Sequence, residues 1–596
     1  MIHQLNRYAA DHELAVKYGF KSKLCKWLIE IDSAGELIGV RQCDRTFPLS
    51  PDLSQQELIA GGVKKSHFLL DTRDIIDNPS DNIIKHQYFI ELLENASEVD
   101  PRFHSCSNFL KNDVQMDQLN AAFEAKKVKP TDKITFSVDG VCLIEQETWH
   151  DWWQQFKRSL TVSNVKENST GVNECGKKNK NENKNENKNE IKSEMLCLVS
   201  GKPTKPVPSH SKINISRAGG ISSGSVLVGF DKDAFTSYGL EASKNAAMSE
   251  EAVLTYTAAL NDMIQNAPKP LGNVLVLHGY DKPVPLEDDV FVMVESVGGG
   301  DHKTEQFNAE HQLREVIEAI RNGEICAYLH NRYYVLMVTG ASGRVMIRDY
   351  FEGDCMQLVE CFNRWFNDMT LISPGGKTDT SVPKLTGMLT RLLTYRENDS
   401  KIFQRIGDEL TSYIPAIWRS ILTGVALPDT IVSKAQNHIR SRLLKTENTM
   451  PDTIACMWLK IWLIRGGKNM TKGLNRDETS QAYHIGRLLA VYAKLQEDAS
   501  PGINVGVGQR YFTSASTTPA LVLGRLAALS NHHLAKLETG RAIWYKQQLQ
   551  DVSGNIQTSL PNTMSLKDQS LFTLGYYHQM AEFYKGKESK TEEERK

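Results

Sequence analysis

The chain reads as an α+β protein of several domains, with mixed α/β N-terminal and central regions followed by an all-α C-terminal helical bundle. Three observations carry that reading. Short β-branched runs bounded by turn residues recur up to about residue 375, apolar residues at helical spacing recur beyond it, and 596 residues exceed what one hydrophobic core organises. Four parts follow: an α/β domain at 1–165, an insertion of Lys, Asn and Glu at 166–194, a central α/β region at 195–375 and a helical region at 376–596.

Ile2, Leu5, Tyr8 and Ala9 predict a first amphipathic helix, and 26–31 with 37–40 predict a β-hairpin around the turn Asp32 to Gly35. Residues 68–70 and 134–138 read as further strands. Trp149, Trp152, Trp153 and Phe156 recur at helical spacing, which fits a core-facing stripe or a base-stacking platform. The insertion, with NENKNENKNE at 181–190, has almost nothing to bury and is expected to be disordered. In the central region 225–230, 273–277 and 290–295 read as strands, and 333–338 with 345–348 as a hairpin around Gly340 to Gly343. Leu358, Val359, Phe362, Trp365 and Phe366 then mark one face of a helix. Helices are predicted at 414–423, 431–444, 454–464, 481–495, 519–537 and 566–584.

Composition narrows the function classes. Apolar residues at 40% and charged residues at 24% are ordinary for a globular chain. No run approaches the roughly 18 apolar residues of a membrane span, and the opening MIHQLNRYAADHEL lacks the apolar core of a secretion signal, so a cytoplasmic location is expected. Ten cysteines without a C-x-x-C pair indicate neither a disulfide framework nor a zinc ribbon. A net charge of −2 confines any nucleic-acid surface to local patches.

Two such patches stand out. From Met195 to Phe230 there is no Asp or Glu, while Lys202, Lys205, Lys212 and Arg217 supply cations beside the glycines and hydroxyls of RAGGISSG. That composition suits either a solvated face or contact with phosphates. Between Ala499 and Leu537 acids vanish again, leaving Arg510, Arg525 and Lys536 on a surface that fits a nucleic-acid strand or an ordinary bundle face. Between the patches, 231–248 reads as a loop carrying Tyr238, Gly239, Ser243, Lys244 and Asn245. Ser249 is a good N-cap with Glu250 and Glu251 in the first turn of the next helix.

Catalytic motifs nearly match and fail on context. G-x-S-x-G at 220–224 needs a strand before it and a helix after it, and here a strand is expected after it. Gly219 and Gly224 have Walker spacing, but Ser225 and Val226 stand where the motif needs Lys and Ser or Thr. Tyr511 replaces the third glycine of a dinucleotide fingerprint begun by Gly506 and Gly508. His532 and His533 are adjacent on a helix and point roughly 100° apart, a poor metal pair. No catalytic constellation, cofactor or metal site is indicated.

CLVSG at 197–201, GGISSGSVLVGF at 219–230, AFTSYG at 234–239 and KNAAMSEEAVLTYTAALN at 244–261 together resemble the large subunit of type I-C CRISPR interference (Cascade) complexes. GRVMIRDY at 343–350, YHIGRLLAVYAKLQ at 483–496, RYFTSASTTPA at 510–520, NHHLAKL at 531–537 and LGYYHQ at 574–579 extend the resemblance in order. It implies a non-catalytic subunit at the guide RNA's 5′ end that reads the protospacer-adjacent motif in target duplex DNA, assists R-loop opening and recruits a helicase-nuclease. Sister backbone and RNA-end subunits would be its partners. Carried onto this chain, Gly219, Gly220, Ser222 and Ser223 would approach the duplex backbone, Lys244 and Asn245 would lie near base edges or the minor groove, and Lys202, Lys205, Lys212 and Arg217 would hold phosphates. Arg510, Arg525 and Lys536 would face the displaced strand. Ala242 and Ala247 depart from the Gln and Pro common in the family. The resemblance also implies that the C-terminal bundle can be made separately from an internal start, for which Met470 is placed to give a small subunit of roughly 127 residues. A nucleic-acid hydrolase and a pure RNA-binding scaffold are the other classes to separate from this one.

Overall fold

The computed structural model describes the chain except residues 13, 15–16, 54–56, 59–63, 78–81, 167–194, 231, 293–314, 321, 326–327, 329, 377, 447–448, 503–504, 557–558 and 586–596. The predicted insertion therefore lies outside the described residues, apart from Lys166. The chain forms two compact units, one of Ile2–Ser211 and Val228–Ala259, the other of Met1, Lys212–Leu227 and Leu260–Lys596.

The first unit opens with α1 (Ile2–Asp11), which buries Leu5 and Ala9. Strands β1 (Phe20–Ile31) and β2 (Leu37–Pro51) form the expected hairpin. Its turn works because Gly35 takes φ +83° and the Asp32 carboxylate accepts the Glu36 N–H at 2.7 Å. Next come β3 (Asp71–Thr72), α2 (Arg73–Ile76), α3 (Ile83–Ala96), α4 (Arg102–Lys111), α5 (Asp113–Ala125), β4 (Lys133–Val138) and β5 (Val141–Cys142). The sheet order is β2-β1-β4-β3, with β5 on β4 and the β1–β4 pair parallel. The strand expected at 68–70 is corrected to β3. Leu69 takes a left-handed φ of 61°, and the Phe68 ring stacks on Trp153 at 5.5 Å, so core packing turns the backbone there.

Helix α6 (His150–Lys166) follows, with Trp149 and Trp153 wholly buried against the Phe68 cluster. The aromatic stripe is core. A two-stranded pair, β6 (Met195–Leu196) with β7 (Pro203–Thr204), precedes α7 (Glu250–Asn266), which begins in this unit and ends in the other. Ser249 caps α7 as expected, its hydroxyl accepting the Ala252 N–H at 3.2 Å. Lys157 on α6 is buried and paired with Glu250 at 2.6 Å and Glu57 at 3.6 Å. Burial works against its charge, but the two carboxylates prevail and raise its pKa.

In the second unit β8 (Leu275–Tyr280), β9 (Arg332–Ala341) and β10 (Arg344–Asp354) make an antiparallel sheet ordered β10-β9-β8. The β9–β10 hairpin turns on Ser342 and Gly343, both left-handed at φ 47° and 78°, as a two-residue loop requires. Two strand expectations need correction. Of 290–295, the described residues 290–292 are helical: the Asp289 carboxylate accepts the Phe291 N–H at 2.9 Å, a capping role the strand reading overlooked. The stretch 225–230 reduces to isolated bridges, Ser225 with Ile213 and Val226 with Arg344. Its two bridge residues pair with different partners, so no continuous ladder forms.

Beyond β10 the described chain is helical. The helices are α8 (Cys355–Met369), α9 (Leu385–Thr390), α10 (Ile402–Leu410), α11 (Ile414–Thr423), α12 (Asp429–Lys445), α13 (Thr453–Arg465), α14 (Gln481–Ala499), α15 (Val507–Thr517), α16 (Pro519–Leu534), α17 (Thr539–Ser553) and α18 (Leu566–Lys585). Helix α14 is buried continuously from Ala482 to Leu495 and α18 from Ser570 to Ala581, so the two form the centre of the bundle. They approach through glycines. A Cβ on Gly486 would press into the Phe572 carbonyl, and one on Gly575 into the Tyr483 carbonyl.

Candidate nucleic-acid interface

The stretch 217–263 that concentrates the sequence signals is shared between the two units. In the second unit a short helical turn, Ser216–Ala218, ends on Gly219 at φ +82°. Gly220 packs tightly: a Cβ there would lie 2.5 Å from Ile215 Cγ2 and 2.8 Å from the Ile215 carbonyl oxygen. Gly340 at the end of β9 is equally constrained, since its Cβ would lie 2.8 Å from the Gly219 carbonyl carbon. Close backbone packing thus accounts for these glycines. Beyond them Ser222 and Ser223 are exposed, and Gly224 (φ +88°) lets Ser225 exchange two 2.8 Å backbone bonds with Ile213.

Arg217 is committed elsewhere. Its guanidinium donates to the carbonyls of Ile264, Gln265, Ala267 and Pro268 at 2.9 to 3.3 Å, neutralising the C-terminal end of α7. Lys212 in the same unit is exposed and has no ion pair among the described residues.

In the first unit the described residues 232–249 form a chain of tight turns, Asp233–Phe235, Ser237–Gly239 and Ala242–Ala246. Two side chains staple it. Asn245 donates through Nδ2 to the Phe235 carbonyl at 2.7 Å and the Ala242 carbonyl at 3.0 Å, and the buried Ser243 hydroxyl donates to the Pro208 carbonyl at 2.6 Å. Lys244, between the staples, is exposed. So are Lys202 and Lys205, and none of the three has an ion pair among the described residues. The 197–202 turn closes with the Gly201 N–H on the Cys197 carbonyl and the Cys197 N–H on the Lys202 carbonyl, and the Leu198 N–H ties it to the Ala247 carbonyl at 2.9 Å. Burial pushes the Cys197 thiol up, but donors from Ser200, Ser249 and Val199 outweigh it and bring its pKa down to about 7. Ala247 sits at φ −59°, close to the value a proline ring sets.

On the bundle, Arg510 lies on α15, Arg525 on α16 and Lys536 in the turn after α16; all three are exposed without ion pairs among the described residues. Among the described residues no three His, Cys, Asp or Glu side chains group to hold a metal ion, and no helix is long and apolar enough to cross a membrane.

A family model described as CRISPR-associated protein (Cas_Csd1) matches residues 3–584. The chain belongs to this family. Membership bears out the resemblance read from the motifs and makes the chain a CRISPR-associated Cascade subunit, in a family of structural, generally non-catalytic subunits. A search of curated proteins returned no match. In this Cas_Csd1 chain the sequence reading missed the staple role of Ser243 and the Lys157 joint. Neither leaves a local pattern, because Pro208 and Glu250 are 35 and 93 residues from their partners.

Proposed function

We propose that this chain is the type I-C large subunit that reads the protospacer-adjacent motif in duplex DNA, assists R-loop opening within a guide-RNA complex and recruits a helicase-nuclease. One observation carries the reading of the loop: Lys244, exposed and without an ion pair among the described residues, projects from a segment whose neighbours, Ser243 and Asn245, are both tied to backbone carbonyls. A preorganised loop loses little entropy on contact and presents its cation in a fixed place, as base-edge recognition requires. In this reading Asn245 acts mainly by holding the loop. Lys202, Lys205 and Lys212 supply phosphate contacts, Ser222 and Ser223 meet the duplex backbone, and Arg510, Arg525 and Lys536 track the displaced strand. Base pairing with the guide then reads the target sequence, which leaves the protein only the adjacent motif and the backbone to recognise.

The test assembles the complex with guide RNA and compares binding to duplexes carrying native or scrambled adjacent motifs. Lys244→Ala is expected to lose preference for the native motif by about 1–3 kcal/mol. Lys202→Ala is expected to weaken both duplexes alike. Equal weakening on both duplexes by Lys244→Ala would reduce that residue to a phosphate contact and remove it from motif reading.

A further inference from the structure

The loop that presents Lys244 presents a second side chain. Tyr238 is fully exposed and makes no hydrogen bond, ring contact or ion contact among the described residues. Its backbone is left-handed, φ 59° and ψ 20°, a conformation that a bulky residue adopts only when its surroundings impose it. Gly239 at φ 70° and Ala242 at φ 47° follow, so three of five consecutive residues are left-handed. The constraint is visible on both sides. Asn245 ties the Phe235 and Ala242 carbonyls together across the loop, and the Phe235 ring meets Phe230 edge-on at 5.5 Å. Phe230, Phe235 and Leu240 are half-buried, and among the described residues of the loop the one aromatic left fully outside is the ring carried on the strained residue.

The chemistry of the tip favours a flat, uncharged contact. Glu241 is exposed on the same loop and offsets Lys244, so net attraction to phosphate at the tip is small. A tyrosine ring needs no such attraction, because every nucleobase has a face to stack on and stacking is indifferent to base identity. Lys202 and Lys205, in the same unit and without acids nearby in sequence, would hold the strand that carries the base.

We propose that Tyr238 stacks on the nucleobase that becomes unpaired where the target duplex opens beside the adjacent motif, with Lys244 reading the paired side of that junction. This rests on the reading of the loop given above. The test uses the complete complex with guide RNA and a target duplex carrying 2-aminopurine at the first position beyond the motif, whose fluorescence rises on unstacking from its neighbours. Tyr238→Phe and Tyr238→Trp keep the ring and are expected to open the duplex at the wild-type rate. Tyr238→Ala is expected to slow opening by roughly 5- to 150-fold, the loss of one base–aromatic stack, and a target already mismatched at that position is expected to restore its rate. Wild-type opening by Tyr238→Ala on the closed duplex overturns the proposal, as does equal slowing on closed and mismatched targets. Failure of the underlying reading shows separately, as a wild-type complex that binds native and scrambled motifs equally well.

Discussion

Replacing Gly486 with Ala tests whether the bundle depends on the backbone-to-backbone approach of α14 and α18. The new Cβ would lie 2.7 Å from the Phe572 carbonyl carbon and 3.0 Å from its Cα, against about 3.5–4.0 Å for an ordinary carbon contact. The neighbours are backbone atoms, so no side-chain rotation relieves the clash and the helices must separate by about 1 Å. Overpacking of this kind costs about 1–3 kcal/mol, and the rigid neighbour places it at the upper end. Against that, Ala is favoured over Gly inside a helix by about 1 kcal/mol. The net loss is then about 2 kcal/mol. Hydrogen exchange of the α14 amides in the full chain reads it directly, as protection reduced about 30-fold. Gly524→Ala on α16 is the matched control, because a Cβ there meets nothing within 4 Å. It should keep the propensity gain and slow exchange in α16. Unchanged α14 exchange in Gly486→Ala, or faster α16 exchange in Gly524→Ala, would refute the reasoning.

Arg217→Met should loosen the end of α7 by about 1–2 kcal/mol, the scale of a lost cap, and leave the salt dependence of duplex binding unchanged. Each of Lys202→Met, Lys205→Met and Lys212→Met should instead reduce the log–log salt slope by about 0.9. Lys460 on α13 is buried, with its ammonium donating to the carbonyls of Asn367, Asp368 and Thr370 at 2.7 to 3.3 Å, and burial lowers its pKa to about 8 despite Asp368 and Asp379. With the folded value below the unfolded one of 10.5, the unfolded chain binds more protons between about 8 and 10.5, so this residue makes stability rise with pH across that window. Thermal unfolding of Lys460→Met against wild type at pH 7.5 and 9.5 should show that rise missing from the variant. Met470→Leu should abolish a small C-terminal product that co-purifies with the complex; its persistence would place the start elsewhere.

Much of the architecture was legible because its signals are local. The Asp32 to Gly35 and Gly340 to Gly343 turns follow from backbone preference, the Ser249 cap from one hydroxyl, and α8 from the apolar spacing of Leu358 to Phe366. The helices α2, α3, α4, α5, α9, α10, α15 and α17 were not anticipated. Helices α15 and α17 carry polar and small residues at many positions, and only their packing on α14 reveals the buried set, such as Phe512 on α15 and Tyr545 on α17. The strand expected at 225–230 failed for the converse reason. Its residues have the right propensity, but a strand is a property of a pair, and the partner of Ser225 is not the partner of Val226.

The candidate interface divides along the same line. Sequence by itself determined the family, through motifs in fixed order, and determined that the cations near the glycines have no acids beside them up to Phe230. What each polar group does depended on tertiary structure. Arg217 and Lys212 look alike in sequence, yet one is consumed by four carbonyls at the end of α7 and just beyond it, and the other is unpaired among the described residues. Asn245 and Lys244 are neighbours, yet one is bound to Phe235 and Ala242 and the other faces solvent. Composition records which groups can bond. Which of them are already satisfied within the protein is decided by carbonyls that the fold brings to them from 3 to 51 residues away.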